Sequence, residues 1–163
     1  MALLKIRHYP DPVLKKVATP VTVFDDSLRQ LANDMAETMY AAPGIGLAAP
    51  QIGISKRLTV IDCSSRDEEA QLLVLVNPEI IEREGECYEE EGCLSVPDQY
   101  ADVERPSIIK AKWLDENGKA HEEVIDGLLA ICLQHEMDHL NGILFIDHLS
   151  KLKRDMVLKK LAK

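Results

Sequence analysis

The sequence predicts a single α+β domain over residues 1–163, with antiparallel strands packed around a buried central helix and further helices near the two ends. Three observations carry that expectation. The β-rich runs between residues 58 and 125 follow one another without regular helical crossovers, which argues against a doubly wound parallel sheet. Two of these runs flank Glu116-Asn117-Gly118-Lys119, where Asn-Gly is a strong signal for a hairpin turn. The segment from Asp126 to Leu140 has no continuous polar face, and a helix that is apolar nearly all round is buried. The chain has the length of one ordinary domain, and no repeat, linker or low-complexity segment divides it.

Each element has a local reason. Asp11-Pro12 reads as an N-cap followed by proline in the first helical turn, opening a short helix through about Val17. Leu28, Leu31, Met35 and Met39 recur at three- and four-residue spacing, so residues 26–41 form an amphipathic helix that Pro43-Gly44 ends. Strands are expected at Leu58 to Ile61, Leu72 to Val76, Glu79 to about Glu86, Ser107 to Leu114 and His121 to Ile125. Asp126 then caps the central helix, and Asn141-Gly142 ends it. A last helix runs from about Ser150 to Lys163.

Composition excludes several classes of function. The longest uninterrupted apolar run is six residues, Leu128 to Leu133. A membrane-spanning helix needs roughly 18–20. Residues 1–8 carry no apolar signal core and no small-residue cleavage site, so a cytoplasmic location is expected. The formal charge of −9 argues against nucleic-acid binding over the whole surface. The charge is uneven, however. Residues 151–163 carry six bases against one acid, Asp155, and form a basic tail that an anionic partner could meet. Cys63, Cys87, Cys93 and Cys132 form no C-x-x-C pair and are expected as free thiols in a reducing compartment.

The central helix carries the strongest chemical signal, His135-Glu136-Met137-Asp138-His139. Four residues turn a helix through about 400°, so the two histidines differ by only about 40° in direction. Their imidazoles can meet one cation, and Glu136 beside them can reach a water on it. Burying two histidines and a glutamate in this apolar helix is costly unless something satisfies them. Two histidines do not complete a catalytic site, which usually takes three protein ligands. His8, His121, His148, a carboxylate or a cysteine could be the third. Cys93 stands out because Gly92 precedes it in Glu91-Gly92-Cys93-Leu94-Ser95. A two-histidine, one-thiolate set suits zinc or ferrous iron.

A third segment, Gly44-Ile45-Gly46-Leu47-Ala48-Ala49-Pro50-Gln51-Ile52-Gly53, signals close backbone approach. Its spacing is not that of a nucleotide-binding loop, it follows a helix rather than a strand, and no Lys-Ser/Thr comes after it. The segment reads as one wall of a cleft, with Gln51 offering an amide donor.

These three segments, in this order, resemble those of the peptide deformylases. The pattern G-φ-G-φ-A-A-x-Q, then E-G-C-φ-S, then Q-H-E-φ-D-H, with φ apolar, is matched by Gly44 to Gln51, Glu91 to Ser95 and Gln134 to His139. The resemblance implies an α+β fold in which the metal helix packs against antiparallel strands. It implies a hydrolase that removes the formyl group from the N-terminal formyl-methionine of newly made polypeptides and releases formate. It implies Cys93, His135 and His139 as metal ligands, with ferrous iron as the native metal and zinc, nickel or cobalt as substitutes. Hydroxide made available by the cation would attack the formyl carbon. Glu136 would take the water's proton and pass it to the leaving amine. Gln51 and the Leu94 N–H would face the oxyanion, where losing one donor typically costs about 3–4 kcal/mol.

The substrate backbone would lie extended beside Ile45-Gly46, and its methionine side chain would enter a pocket bounded by Ile45, Leu128, Ile131 and Cys132. The basic C-terminal helix would contact the ribosome. Two positions depart from many bacterial members, with Tyr100 where an arginine is common and Glu89 where some carry an apolar residue. Two other readings of the same residues are a small metallopeptidase and a non-enzymatic structural metal module. A peptidase of this type would usually place its third ligand downstream of the helix, and a structural site would need four protein ligands.

Overall fold

The computed structural model describes residues 3–64 and 69–161. All seven strands lie between the first and second of three α-helices. Helix α1 spans Asp26–Ala41. Strands β1 (Gly46–Ala48), β2 (Leu58–Ile61), β3 (Leu73–Glu84), β4 (Cys87–Cys93), β5 (Val96–Arg105), β6 (Ile108–Leu114) and β7 (Ala120–Asp126) follow. Helices α2 (Gly127–Leu140) and α3 (Lys151–Leu161) close the chain. All pairings are antiparallel. Five strands form one sheet in the order β1-β2-β3-β6-β7, and β4-β5 is a separate hairpin.

The N-terminal elements follow their sequence signals. The Asp25 side chain accepts from the Leu28 N–H and caps α1. Met35 and Met39 are fully buried on the face that meets Leu47, Leu58 and Val60, each such burial contributing roughly 1.5–3 kcal/mol. The Asp11 carboxylate accepts from the Val13 N–H, but the helix it opens is only a 3-10 turn, Pro12–Lys15. It is therefore shorter than the run to Val17 that the sequence suggests.

One strand boundary also differs from the sequence expectation. The two runs at 72–76 and 79–86 are one strand, β3, with an irregularity after Val76. Asn77 adopts φ 51° there, and its side chain holds both the N–H and the C=O of Val21, at 2.8 Å each. The bond to Val21 bends the strand without ending it. Asp126 occupies the N-cap of α2 but makes no side-chain cap bond. Helix α3 begins at Lys151, and the last residues of the expected tail, Ala162 and Lys163, lie outside the described residues.

Helix α2 packs its apolar surface on the large sheet. Ala130, Cys132, Leu133 and Met137 cluster with Ile61, Leu75, Ile109, Ala111 and Trp113. The β4-β5 hairpin forms a separate cluster with Leu144, Phe145, Ile146 and Val157. The N-terminal segment ties the two parts together. The Arg7 N–H donates to the Gln51 carbonyl (2.6 Å), and the Tyr9 N–H donates to the Ser95 carbonyl (2.8 Å). Residues 51 and 95 are thereby fixed against one strap of chain. Among the described residues no helix is long and apolar enough to cross a membrane.

Candidate metal centre

Two glycines bring the three sequence segments onto one another. A Cβ on Gly44 would lie 2.9 Å from Leu94 Cδ1, so the first segment packs closely on the second. A Cβ on Gly46 would lie 2.8 Å from Glu136 Oε1 and 3.0 Å from Cys132 Sγ, so the same segment also lies against the histidine helix. Gly92 has a different reason. The ring of Tyr100 covers it, and a Cβ there would meet Tyr100 Cε1 at 2.5 Å. Cys93 is thus the last residue of β4, at the tight turn where Leu94 and Ser95 lead into β5.

Three donor atoms converge at this junction. Cys93 Sγ is 3.3 Å from His139 Nε2, and His139 Nε2 is 3.2 Å from His135 Nε2. All three ligand atoms lie within 4.8 Å of one another. Donors held roughly 2.0–2.3 Å from a tetrahedral cation stand roughly 3.3–3.8 Å apart, so the Cys93–His139 and His139–His135 separations are close to those of a zinc- or iron-type centre. Groups behind the donors support the same assignment. His135 Nδ1 is 2.9 Å from Glu91 Oε1, which turns Nε2 toward the junction. The Ser95 N–H and the Gln51 amide donate to Cys93 Sγ at 3.4 and 3.5 Å and fix its direction.

Titration behaviour reflects the same crowding. Burial pushes both imidazoles down. Hydrogen bonds to Cys93 and Glu91 more than offset this at His135, and hold it well above the usual histidine range. At His139 burial prevails, and the His135 and Arg105 charges lower it further. Burial also raises the Glu136 carboxyl to about 7. Its Oε2 is buried without a hydrogen-bond partner, and so is His139 Nδ1. An unpaired buried acceptor costs about 1–3 kcal/mol, so Glu136 Oε2 is suited to a group that binds in the site. Burial would raise Glu91 too, but the bonds and charges of Arg105 and His135 win and hold its carboxyl at about 2.

The Gln51 amide has one fixed orientation. Its Oε1 accepts from the Ala48 N–H (2.9 Å), which leaves Nε2 to donate to Ser95 Oγ (3.1 Å) beside Cys93. A sequence model of the polypeptide deformylase family matches residues 3–155. A peptide deformylase of Zymomonas mobilis is 60% identical over 168 residues, spanning all of this chain and 95% of the relative. One from Rhizobium meliloti is 57% identical over 94% of this chain and 89% of its own length. The chain belongs to the polypeptide deformylase family. Solved structures agree. The peptide deformylase of Legionella pneumophila superposes with a TM-score of 0.93 at 54% identity, covering 99% of this chain and 94% of that one. A peptide deformylase of Synechococcus elongatus in complex with actinonin gives 0.93 at 50% identity, over 98% and 88% of the two chains.

The deformylase fold separates the candidate third ligands. Cys93 joins the two histidines. His121 instead stacks on Trp113, with its Nε2 2.9 Å from Asp115 Oδ2, and His148 pairs with Asp138 at 2.7 Å. Of the expected pocket residues, Cys132 lies against Gly46 beside Glu136. Cys132 Sγ is 3.9 Å from the Ile45 carbonyl, whereas Ile45 and Leu128 are exposed and Ile131 is half-buried.

The sequence reading missed the β4-β5 hairpin and, with it, a buried charge network. Arg105 donates through Nε and Nη2 to Glu91 (2.5 and 2.8 Å) and through Nη1 to Asp138 Oδ2 (2.9 Å). No local sequence signal marks this network: in the hairpin Cys87 faces Arg105 and Glu91 faces Ala101, so Glu91 and Arg105 meet only through their side chains.

Proposed function

We propose that this chain is a metal-dependent hydrolase that removes the formyl group from the N-terminal formyl-methionine of new polypeptides. The observation that carries the reading is the convergence of Cys93, His135 and His139 beside a partnerless buried carboxylate oxygen of Glu136. Membership of the polypeptide deformylase family supplies the substrate class. Cys93, His135 and His139 would hold the cation, which the thiolate and imidazole donors suit as ferrous iron, with zinc, nickel or cobalt as substitutes. When bound, the cation supplies Lewis acidity to water and to the formyl carbonyl.

The chain's own residues do the rest. Glu136, with its carboxyl near 7, accepts the proton of the attacking water at neutral pH and returns it to the amine nitrogen as the C–N bond breaks. Gln51 Nε2, oriented by the Ala48 N–H, and the N–H of Leu94 stabilise the oxygen on which negative charge develops. Burial of the site strengthens both contributions, because little water competes for them.

Strand β1 is an edge of the large sheet. The Asp62 N–H donates to the Ile45 carbonyl, so Ile45 and Leu47 face β2 and the N–H and C=O of Gly46 point to the open edge. An extended peptide added along that edge brings its first side chain toward Ile45, Leu128, Ile131 and Cys132. A cytoplasmic location and a ribosome contact through the basic α3 belong to the same reading. Among the described residues, α3 carries Lys151, Lys153, Arg154, Lys159 and Lys160.

The test is formate release from formyl-Met-Ala-Ser by zinc- or iron-loaded protein, with unformylated Met-Ala-Ser and a longer internal peptide as controls. Formate from the formylated peptide alone is expected. Internal cleavage without formate would overturn the reading in favour of a peptidase.

A further inference from the structure

Cys63 and Cys132 take no part in holding the metal, yet they share one apolar cluster. Cys63 follows β2 by two residues and packs, half-buried, against the apolar cluster that contains Cys132. The Ile45 carbonyl that accepts from the Asp62 N–H at 2.8 Å also lies 3.9 Å from Cys132 Sγ, so the chain at Cys63 and the Cys132 sulfur adjoin one carbonyl. The chain around Cys63 is pinned. Asp62 accepts from the Tyr40 hydroxyl (2.6 Å), from the Ser64 N–H (2.9 Å) and from the Gln71 N–H (3.2 Å). Cys132 is pinned by α2 itself. It sits one turn before Glu136 on the same face, with its sulfur 3.9 Å from the Ile45 carbonyl and against Gly46.

We propose that Cys63 and Cys132, facing each other from the end of β2 and the centre of α2, are a modification site that a hydroperoxide converts to a disulfide. The half-buried Cys63 is the sulfur an oxidant reaches first, and Cys132 is fully enclosed. The hydrogen bond from Cys132 lowers the Cys63 thiol below its ordinary range, which favours Cys63 as the attacking sulfur. The Cys63 thiolate attacks the peroxide, the O–O bond breaks, and Cys63 becomes a sulfenic acid. Cys132 then attacks the Cys63 sulfur, loses its proton and expels the oxygen as water. Both thiols together give up two electrons and two protons, and hydrogen peroxide is reduced to two waters.

An S–S bond of roughly 2.05 Å is far shorter than any contact between thiols, so its formation draws Cys132 toward β2. Cys132 is the sulfur against which Gly46 rests, beside Glu136. Oxidation therefore shifts the floor beneath the β1 edge and moves Glu136 relative to Gly46. Reduction restores both. Only this effect on turnover rests on the functional reading above.

The experiment treats zinc-loaded full-length protein with near-stoichiometric hydrogen peroxide, caps the remaining thiols and maps peptides by mass spectrometry without reduction. Wild type is compared with C63S and, to preserve packing, C63V. A linked Cys63–Cys132 peptide is expected. Formate release should fall on the order of tenfold and recover with dithiothreitol, while both variants keep their rate through the same treatment. Both thiols remaining free while Cys93 is oxidised would overturn the proposal, and equal loss of rate in the variants, or a link that leaves turnover unchanged, would overturn its effect on turnover. If untreated wild type releases no formate, the functional reading fails, and the linked peptide alone still decides whether the site exists.

Discussion

Replacing Arg105 by methionine isolates the charge network behind His135. The guanidinium is 5% exposed and makes two bonds to Glu91 and one to Asp138. Methionine keeps much of the apolar stem and removes every donor. Glu91, itself buried, is left with His135 as its bonded partner among the described residues. Breaking a buried ion pair by removing one partner costs about 3–5 kcal/mol. His135 still satisfies one Glu91 oxygen, so the lower end, about 3 kcal/mol, applies. That is a large share of the roughly 5–15 kcal/mol that stabilises a domain. With a urea slope of about 2 kcal/mol per molar, the unfolding midpoint should fall by about 1.5 M. The assay is urea unfolding of metal-stripped protein followed by circular dichroism, in wild type, R105M, E91Q and the double variant. The amide that E91Q introduces would still offer an acceptor to His135 but leaves no buried charge, so the double variant should lose clearly less than the two singles combined. A loss under about 1 kcal/mol in R105M would refute this account of Arg105. Single losses that add within about 0.5 kcal/mol would refute it equally.

Other predictions test the site and its surroundings. Glu136→Gln should keep the metal and the fold but lose about 10²–10⁴ in turnover, measured as formate release beside metal content, because the amide accepts no proton. Near-normal turnover would remove Glu136 from its role. Gly46→Ala should depress turnover on the order of a hundredfold, because its Cβ would meet Glu136 Oε1 at 2.8 Å and displace the base. A wild-type rate would show that the base tolerates the displacement. Burial, together with the Asp62 bond and charge, pushes the Tyr40 phenol up to about 12. That stabilising contribution is complete below about pH 10 and is lost as pH rises through 12. An ultraviolet titration of the four tyrosines should therefore show one late component that moves down in Asp62→Asn. Simultaneous titration of all four would contradict the pairing.

The sequence was most informative where a pattern is local. Helix α1 ends where Leu28, Met35 and Met39 stop recurring, and the Asn117-Gly118 turn sets the β6-β7 hairpin with Gly118 at φ 80°. The i, i+4 histidines had to share a face of α2. Long-range partners were less legible. The pairing of β4 with β5 depends on register across a bulge and on a segment rich in Glu, a weak strand former, so nothing local announced it. Glu91 read only as part of a motif, because its contacts with Arg105 and His135 span 14 and 44 residues. Asn77 read as a strand break. Its bond to Val21, 56 residues away, keeps β3 continuous.

Metal dependence is tested most directly by titrating ferrous ion or zinc, without oxygen, into metal-stripped protein while formate release from formyl-Met-Ala-Ser is followed. Turnover should start near zero and rise linearly to a break at one metal per chain. Cys93→Ala and His139→Ala variants should bind weakly and stay inactive. Full turnover before any metal is added, or a Cys93→Ala variant that saturates like wild type, would contradict the assignment of Cys93, His135 and His139 as the centre of the reaction.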